Sequence, residues 1–321
     1  MLRSGLQETL RSWEARNDLQ STCLAVAKEL VQMANNKVSV LIAARNEPYL
    51  QRTITDAFNK AQGEIEVIAV LDGYRPAIAD HKNQILIFSY GWIGQRPAIN
   101  QAAKLATGKY IFKVDAHCIF DKGFDVKLAA DCEYDWTVIP RRHGVIEDVW
   151  KPRKTSIDYM RLTSPLQKGE LGLRAKAWMD YKGRDNGKLI DDVMTCQGSG
   201  WFQYRERFWE LEGLDERHGH WGALGCEVGC KAWLSGGSLK VNKKTWYAHW
   251  QRGRRHSKGD DFVSTSRYYY LPRKVVKDAQ RYAKDLWLNN KWPKQTREFR
   301  WLLDKFAPVP GWQDGYPELH T

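Results

Sequence analysis

The stretch Tyr110-Ile111-Phe112-Lys113-Val114-Asp115-Ala116-His117 sets the reading of this chain. An apolar, β-rich run ends abruptly in two metal-capable side chains separated by one small residue. Residues two apart on a strand point the same way. If extended geometry persists past Val114, Asp115 and His117 therefore share a side, where a carboxylate and an imidazole can hold a divalent ion. The alternative is a polar strand end followed by a turn. The segments around the stretch decide between the two.

Val38-Ser39-Val40-Leu41-Ile42-Ala43-Ala44 is a near-continuous apolar run, as in a buried parallel strand, and Arg45-Asn46-Glu47-Pro48 follows it. Leu50, Ile54 and Phe58, four apart, predict a helix over 49–62. Residues 64–71 form a second strand stopped by Asp72-Gly73, and 84–88 a third. Residues 97–106 read as a helix ending at Gly108, from which the strand 110–114 starts. Strands alternating with helices and joined by short loops predict an α/β fold, a mostly parallel sheet flanked by helices. Ligands of such sheets bind beyond the carboxyl ends of the strands. Glu47, Asp72 and Asp115 all sit at such ends. Farther on, a helix is expected over 227–234, closed by Gly236-Gly237. Trp246-Tyr247-Ala248-His249-Trp250 reads as a late strand carrying another histidine, and 263–306 as helical.

The 321 residues carry 50 Lys and Arg against 38 Asp and Glu, a net charge of +12. The excess is uneven. Residues 1–140 hold 16 of each sign and 189–250 hold 7 basic and 8 acidic. Residues 141–188 hold 12 and 6, and 251–321 hold 15 and 8. Both basic segments are rich in Trp and Tyr, including Tyr268-Tyr269-Tyr270, Trp287, Trp292 and Trp301. Solvated surface is one reading. An extended acidic partner such as nucleic acid is the other, with aromatics stacking on bases or sugars and cations meeting phosphates. The expected organisation is an N-terminal helical segment (1–36), a catalytic domain (37–255) with a basic insertion (141–188), and a helical basic and aromatic extension (256–321). No run approaches a membrane span and no signal-peptide core is evident. The six cysteines lack metal or disulfide spacing and read as reduced thiols. A cytoplasmic protein without an obligate protein partner is expected.

The ordered set of Arg45-Asn46-Glu47, Asp72-Gly73, Thr107 to His117 and a distant histidine resembles the GT-A nucleotide-sugar glycosyltransferases, family-2 type. The resemblance covers roughly 36–255. The polypeptide N-acetylgalactosaminyltransferases are most similar in motifs. They use an Asp-x-His metal motif, matched by Asp115-Ala116-His117. Their Trp-Gly-Gly-Glu-Asn-Leu-Glu helix resembles Trp221-Gly222-Ala223-Leu224-Gly225-Cys226-Glu227.

The resemblance implies a GT-A fold and sugar transfer from a nucleotide sugar, with a UDP-sugar as donor. Its metal site would be Asp115, His117 and His249, holding Mn²⁺ or Mg²⁺; the mixed ligand set favours manganese. Donor contacts would come from Arg45, Glu47, Asp72, Arg96 and Asp115. Arg252, with Arg254 and Arg255, would close over the diphosphate. The chain departs from the pattern at Leu224-Gly225, where family-2 enzymes place an acidic pair that normally supplies the base. Glu227, as base, sugar contact or helix support, and Asp192 are the remaining candidates for acid–base work. The expected acceptor is a hydroxymethylated base in DNA, as in phage-type DNA modification. A protein or peptide, a cell-surface glycan, and a non-catalytic nucleic-acid binder on a degenerate scaffold are the alternatives.

Overall fold

A computed structural model describes residues 36–165, 172–185, 187–251 and 273–312. All but the last residue of the expected N-terminal helical segment (1–36), the Arg252 to Arg255 loop and Tyr268 to Tyr270 lie outside the described residues.

Strands β1 (Val38–Ala44) and β2 (Ile65–Asp72) are covered on both faces, which is why they read as unbroken apolar runs. Helix α1 (Leu50–Lys60) connects them and buries Leu50, Thr53, Ile54 and Ala57. Strand β3 (Gln84–Ser89) forms the sheet edge and is only half-buried. Helix α2 (Gln95–Leu105) returns the chain to the centre, where β4 (Tyr110–Asp115) pairs with β1 in parallel. The strand order begins 3-2-1-4, all parallel, so β1, β2 and β4 deliver their carboxyl ends to one rim.

The sheet then turns mixed. A short β5 (Cys118–Phe120) and helix α3 (Phe124–Asp131) precede the long β6 (Trp136–Ile146), which turns back into β7 (Lys151–Ser156). A two-stranded ribbon of β8 (Met160–Leu162) and β9 (Ala175–Ala177) follows. Strand β10 (Ile190–Asp192) lies at the outer edge and β11 (Gly200–Tyr204) runs antiparallel between β4 and β6. Helix α4 (Arg205–Glu210) and helix α5 (Leu224–Leu234) lead to β12 (Ser238–His249), parallel to β6.

Three expectations change. The basic stretch 141–188 is no separate insertion at its start, because β6 runs through it to Ile146 as part of the main sheet. The late strand is longer than its aromatic end suggests. It starts at Ser238, with an irregularity between Asn242 and Trp246. Within 263–306, the described part is two helices, α6 (Arg273–Leu288) and α7 (Phe299–Lys305). They are separated where Asn290 takes a left-handed backbone and Pro293 lacks an amide donor. Trp287 and Trp292 are buried in the main core and Trp301 packs beside Trp233, so these aromatics hold the helices to the domain rather than facing an acceptor. Among the described residues no helix is long and apolar enough to cross a membrane.

Candidate active site

The carboxyl ends of β1, β2 and β4 open into a cavity of about 450 Å³. Asp115 stands at the end of β4. His117 follows the break between β4 and β5, and His249 closes β12, whose end pairs with β5 through His249 and Cys118. Three strands thus bring together residues up to 134 positions apart. His249 Nε2 lies 3.1 Å from Asp115 Oδ2 and 3.0 Å from His117 Nε2.

The surroundings fix each of these side chains. His117 turns its Nδ1 to the Glu47 carboxylate at 3.0 Å, which leaves its Nε2 lone pair facing the cluster. Lys113, fully buried inside β4, donates to Asp115 Oδ1 and, at 2.7 Å, to the Gly198 carbonyl. Gln95 also donates to Oδ1 at 3.3 Å, so Oδ2 remains toward the histidines. Burial raises the Asp115 carboxyl, but Lys113 and the histidines outweigh it and hold the group well below the usual carboxylate range. Burial pushes both imidazoles down to about 4 against the attraction of Asp115. At neutral pH the set is one carboxylate and two neutral imidazoles. A carboxylate oxygen and two imidazole Nε2 atoms that converge this closely form a donor set that a divalent cation fits.

The other expected site residues divide. Arg45, Glu47 and Asp72 line the cavity. Arg45 reaches the Asp72 carbonyl at 3.0 Å and covers the Trp92 ring at 5.2 Å. The Asp72 carboxylate accepts the amides of Ile93 and Gly94, at 2.8 and 3.1 Å, and so also braces the loop before α2.

Arg96, Glu227 and Asp192 are corrected. Arg96 is fully buried and donates to Glu227 at 2.6 Å; neither lines the cavity. Glu227 also meets Lys231 at 3.2 Å and accepts the Asp215 amide at 2.6 Å. It joins α5 to the loop beneath it and has no path to a substrate. Asp192 lies on β10, which pairs with the opposite end of β12 from His249. It is bound by Lys240 at 2.6 Å and Lys305 at 2.8 Å. Arg252 lies outside the described residues.

Sequence reading missed Lys113, Gln95, Trp92 and the place of His220. Lys113 carried a signal, a lone cation in an apolar strand. Trp92 stacks on His220 with ring centroids 4.3 Å apart, and both line the cavity. They are 128 positions apart in the chain, so no local pattern reports their contact.

The absent acidic pair has a steric basis at its second position. A Cβ on Gly225 would lie 1.8 Å from the Cys196 carbonyl oxygen, so the loop at 196–198 occupies the space a side chain needs. Gly225→Ala should therefore lower stability by about 1–3 kcal/mol through overpacking. An unchanged urea midpoint would contradict this packing.

His218 and Glu227 predict acid sensitivity. Burial depresses His218 to about 4, below its ordinary 6.5, and Glu227 is held at about 2, where Lys231 and Arg96 outweigh burial. Both native groups bind fewer protons than the unfolded chain. Stability is therefore lost first between about pH 6.5 and 4, through the histidine, and then between about 4.5 and 2, through the carboxylate. Urea midpoints should fall steadily from pH 7.5 to 4.5; a flat profile would contradict the buried placement of His218.

A 3-2-1-4 parallel rim with an Asp-x-His and a distant histidine at its floor defines the GT-A class of nucleotide-sugar folds. The family model described as "Glycosyl transferase family 2" matches residues 39–211, and the chain belongs to that family. The solved structure of GalNAc-T7 with UDP, GalNAc and Mn²⁺ superposes with a TM-score of 0.62 at 16% identity. The match covers 84% of this chain and 57% of that one, so this chain spans little more than half of its length. S. aureus TarS 1–349 gives a TM-score of 0.44 at 16% identity, over 67% of this chain and 60% of that one. No curated protein matches the chain.

Proposed function

We propose that this chain is a divalent-metal-dependent glycosyltransferase that moves a sugar from a UDP-sugar to a hydroxyl acceptor, and that the acceptor is a hydroxymethylated base in DNA. The carrying observation is the Asp115, His117 and His249 cluster at the floor of a cavity built from parallel-strand ends. Asp115, His117 and His249 would hold the metal, manganese by the mixed ligand set. When bound, the ion supplies Lewis-acid charge for a diphosphate leaving group.

The chain's own groups prepare the rest. Glu47 fixes the ring orientation of His117, and Lys113 keeps Asp115 ionised. Asp72, Arg45 and Trp92 line the end of the cavity suited to a nucleoside, and the remaining carboxylate lone pairs of Asp72 suit an imide N–H. In the transfer, the acceptor oxygen bonds to the anomeric carbon as the bond from that carbon to the diphosphate breaks, and the hydroxyl proton leaves to bulk solvent. Neither Glu227 nor Asp192 is placed to take that proton.

The DNA acceptor is supported by the placement of the first basic segment. The end of β6 pairs with the metal end of β12, Gly144 opposite His249, and β7 beside it exposes Lys151, Arg153 and Lys154. A polyanionic acceptor is drawn to such a rim. The test is transfer from a panel of UDP-sugars with Mn²⁺ to hydroxymethylated DNA, unmodified DNA and a Ser/Thr peptide mixture, read by intact mass. A sugar-sized gain on hydroxymethylated DNA alone is expected. Gain on peptide alone would overturn the DNA acceptor, and no turnover of any donor would favour a non-catalytic nucleic-acid binder.

A further inference from the structure

Beside the metal-capable cluster stands a wall of aromatic rings that the donor cavity leaves mostly unused. Trp250 sets its ring edge-on to His117, centroids 5.7 Å apart. Tyr49 meets Trp250 at 5.0 Å and Trp150 at 4.3 Å. The rings rest on Ile119, Val145 and Ala248, a small apolar cluster separate from the main core. Trp150 closes the turn between β6 and β7 with a φ of 50°, an outlying conformation for a bulky side chain and one that recurs at functional sites.

Cations border the same wall. The Arg52 guanidinium lies over Tyr49 at 5.8 Å and over Trp150 at 5.5 Å, and Arg52 is exposed. The Arg153 stem crosses Gly144, where a Cβ would meet its Cδ at 3.0 Å, and Gly144 is the register partner of His249. Two acids, Glu147 and Asp148, share the turn, and Glu147 accepts the Tyr49 hydroxyl at 2.6 Å. Rings that lead from the metal cluster into exposed cations match a ligand with planar faces and a continuous anionic backbone. A neutral glycan would use the rings alone, and a peptide offers no regular line of anions.

We propose that Tyr49, Trp150 and Trp250 form the acceptor subsite, and that it holds a nucleobase face-on, with flanking phosphates on Arg52, Lys151 and Arg153. This rests on the DNA-acceptor reading above. The base arrives from a single strand or is extruded from a duplex, since its reacting hydroxyl must reach the cavity beside His117.

The test uses the full chain with Mn²⁺, the best UDP-sugar, and a hydroxymethylated single-stranded oligonucleotide as acceptor, measured as initial rates against acceptor concentration. Trp150→Ala should raise the acceptor KM about tenfold while kcat falls less than about threefold, in line with loss of one stacking face. Trp150→Phe should restore most of the loss. Arg52→Gln should raise KM and flatten its salt dependence. Tyr134→Ala, an exposed aromatic beside Tyr204 at the amino end of β4, should change neither constant.

If the wild-type protein modifies DNA and Trp150→Ala keeps its KM within twofold, the subsite is overturned and the acceptor reading stands. If Trp150→Ala does not fold, the Arg52→Gln KM and salt slope decide in its place. If the wild-type protein glycosylates peptide but no oligonucleotide, both fall.

Discussion

Asp115→Ala and His249→Ala each abolish metal-dependent transfer, lowering kcat/KM at least about a hundredfold, while leaving a folded chain. Asp115 Oδ2 and the two Nε2 atoms converge on one point, so deleting either partner leaves an incomplete ligand set. Removing one charge-stabilising group from a reaction centre costs about 10²–10³ in rate. The fold survives because these residues sit on the cavity floor, and the hydrophobic core beneath them does not depend on their side chains. Asp115→Ala also leaves Lys113 buried with only the Gly198 carbonyl, so His249→Ala is the cleaner variant. Measured rates with Mn²⁺, with circular dichroism as the folding control, check both. Full activity in His249→Ala would refute the metal assignment.

Glu227→Gln gives the second large effect, and it falls on stability. Glu227 faces Arg96, Lys231 and His218 from full burial. Neutralising it leaves two buried cations without their counter-charge, which costs about 3–5 kcal/mol. Arg96 is worst placed, since its Nη1 and Nη2 are already buried without partners. A general base would behave otherwise, losing kcat with an unchanged unfolding midpoint. The structure predicts a midpoint loss, with kcat retained in whatever fraction folds. The reverse pattern would return Glu227 to the chemistry.

Most of the fold was legible in the sequence because its centre is parallel. Strands covered on both faces, such as Val38–Ala44, announce themselves as apolar runs, and polar residues at their ends mark the ligand rim. Asp115, His117 and Glu47 were legible for that reason. The family resemblance, not any local pattern, pointed onward to His249, which the fold brings to the same spot through β12.

The misreadings share one cause, charge whose partner is distant in sequence. Arg96 looked available because no acid lies near it in sequence, and Glu227 because Lys231 is its one near cation, yet Arg96 and Glu227 pair across 131 positions. Asp192 was misread because Lys240 and Lys305 come from other elements. Trp287 and Trp292 looked like a stacking surface because basic residues surround them, but Trp287 lies on the core face of α6 and Trp292 is buried just beyond its end. Burial is a property of the assembled sheet and helices, and neighbours in sequence do not report it.

The central claim is that a divalent ion at Asp115, His117 and His249 joins a UDP-sugar to this cavity. Calorimetric titration of UDP into the protein, with Mn²⁺ and then with excess chelator, tests it most directly. Saturable one-to-one binding with Mn²⁺ that weakens at least about tenfold on chelation, and is lost in His249→Ala, is the predicted result. UDP binding of equal strength with and without metal, or no UDP binding under either condition, would contradict it.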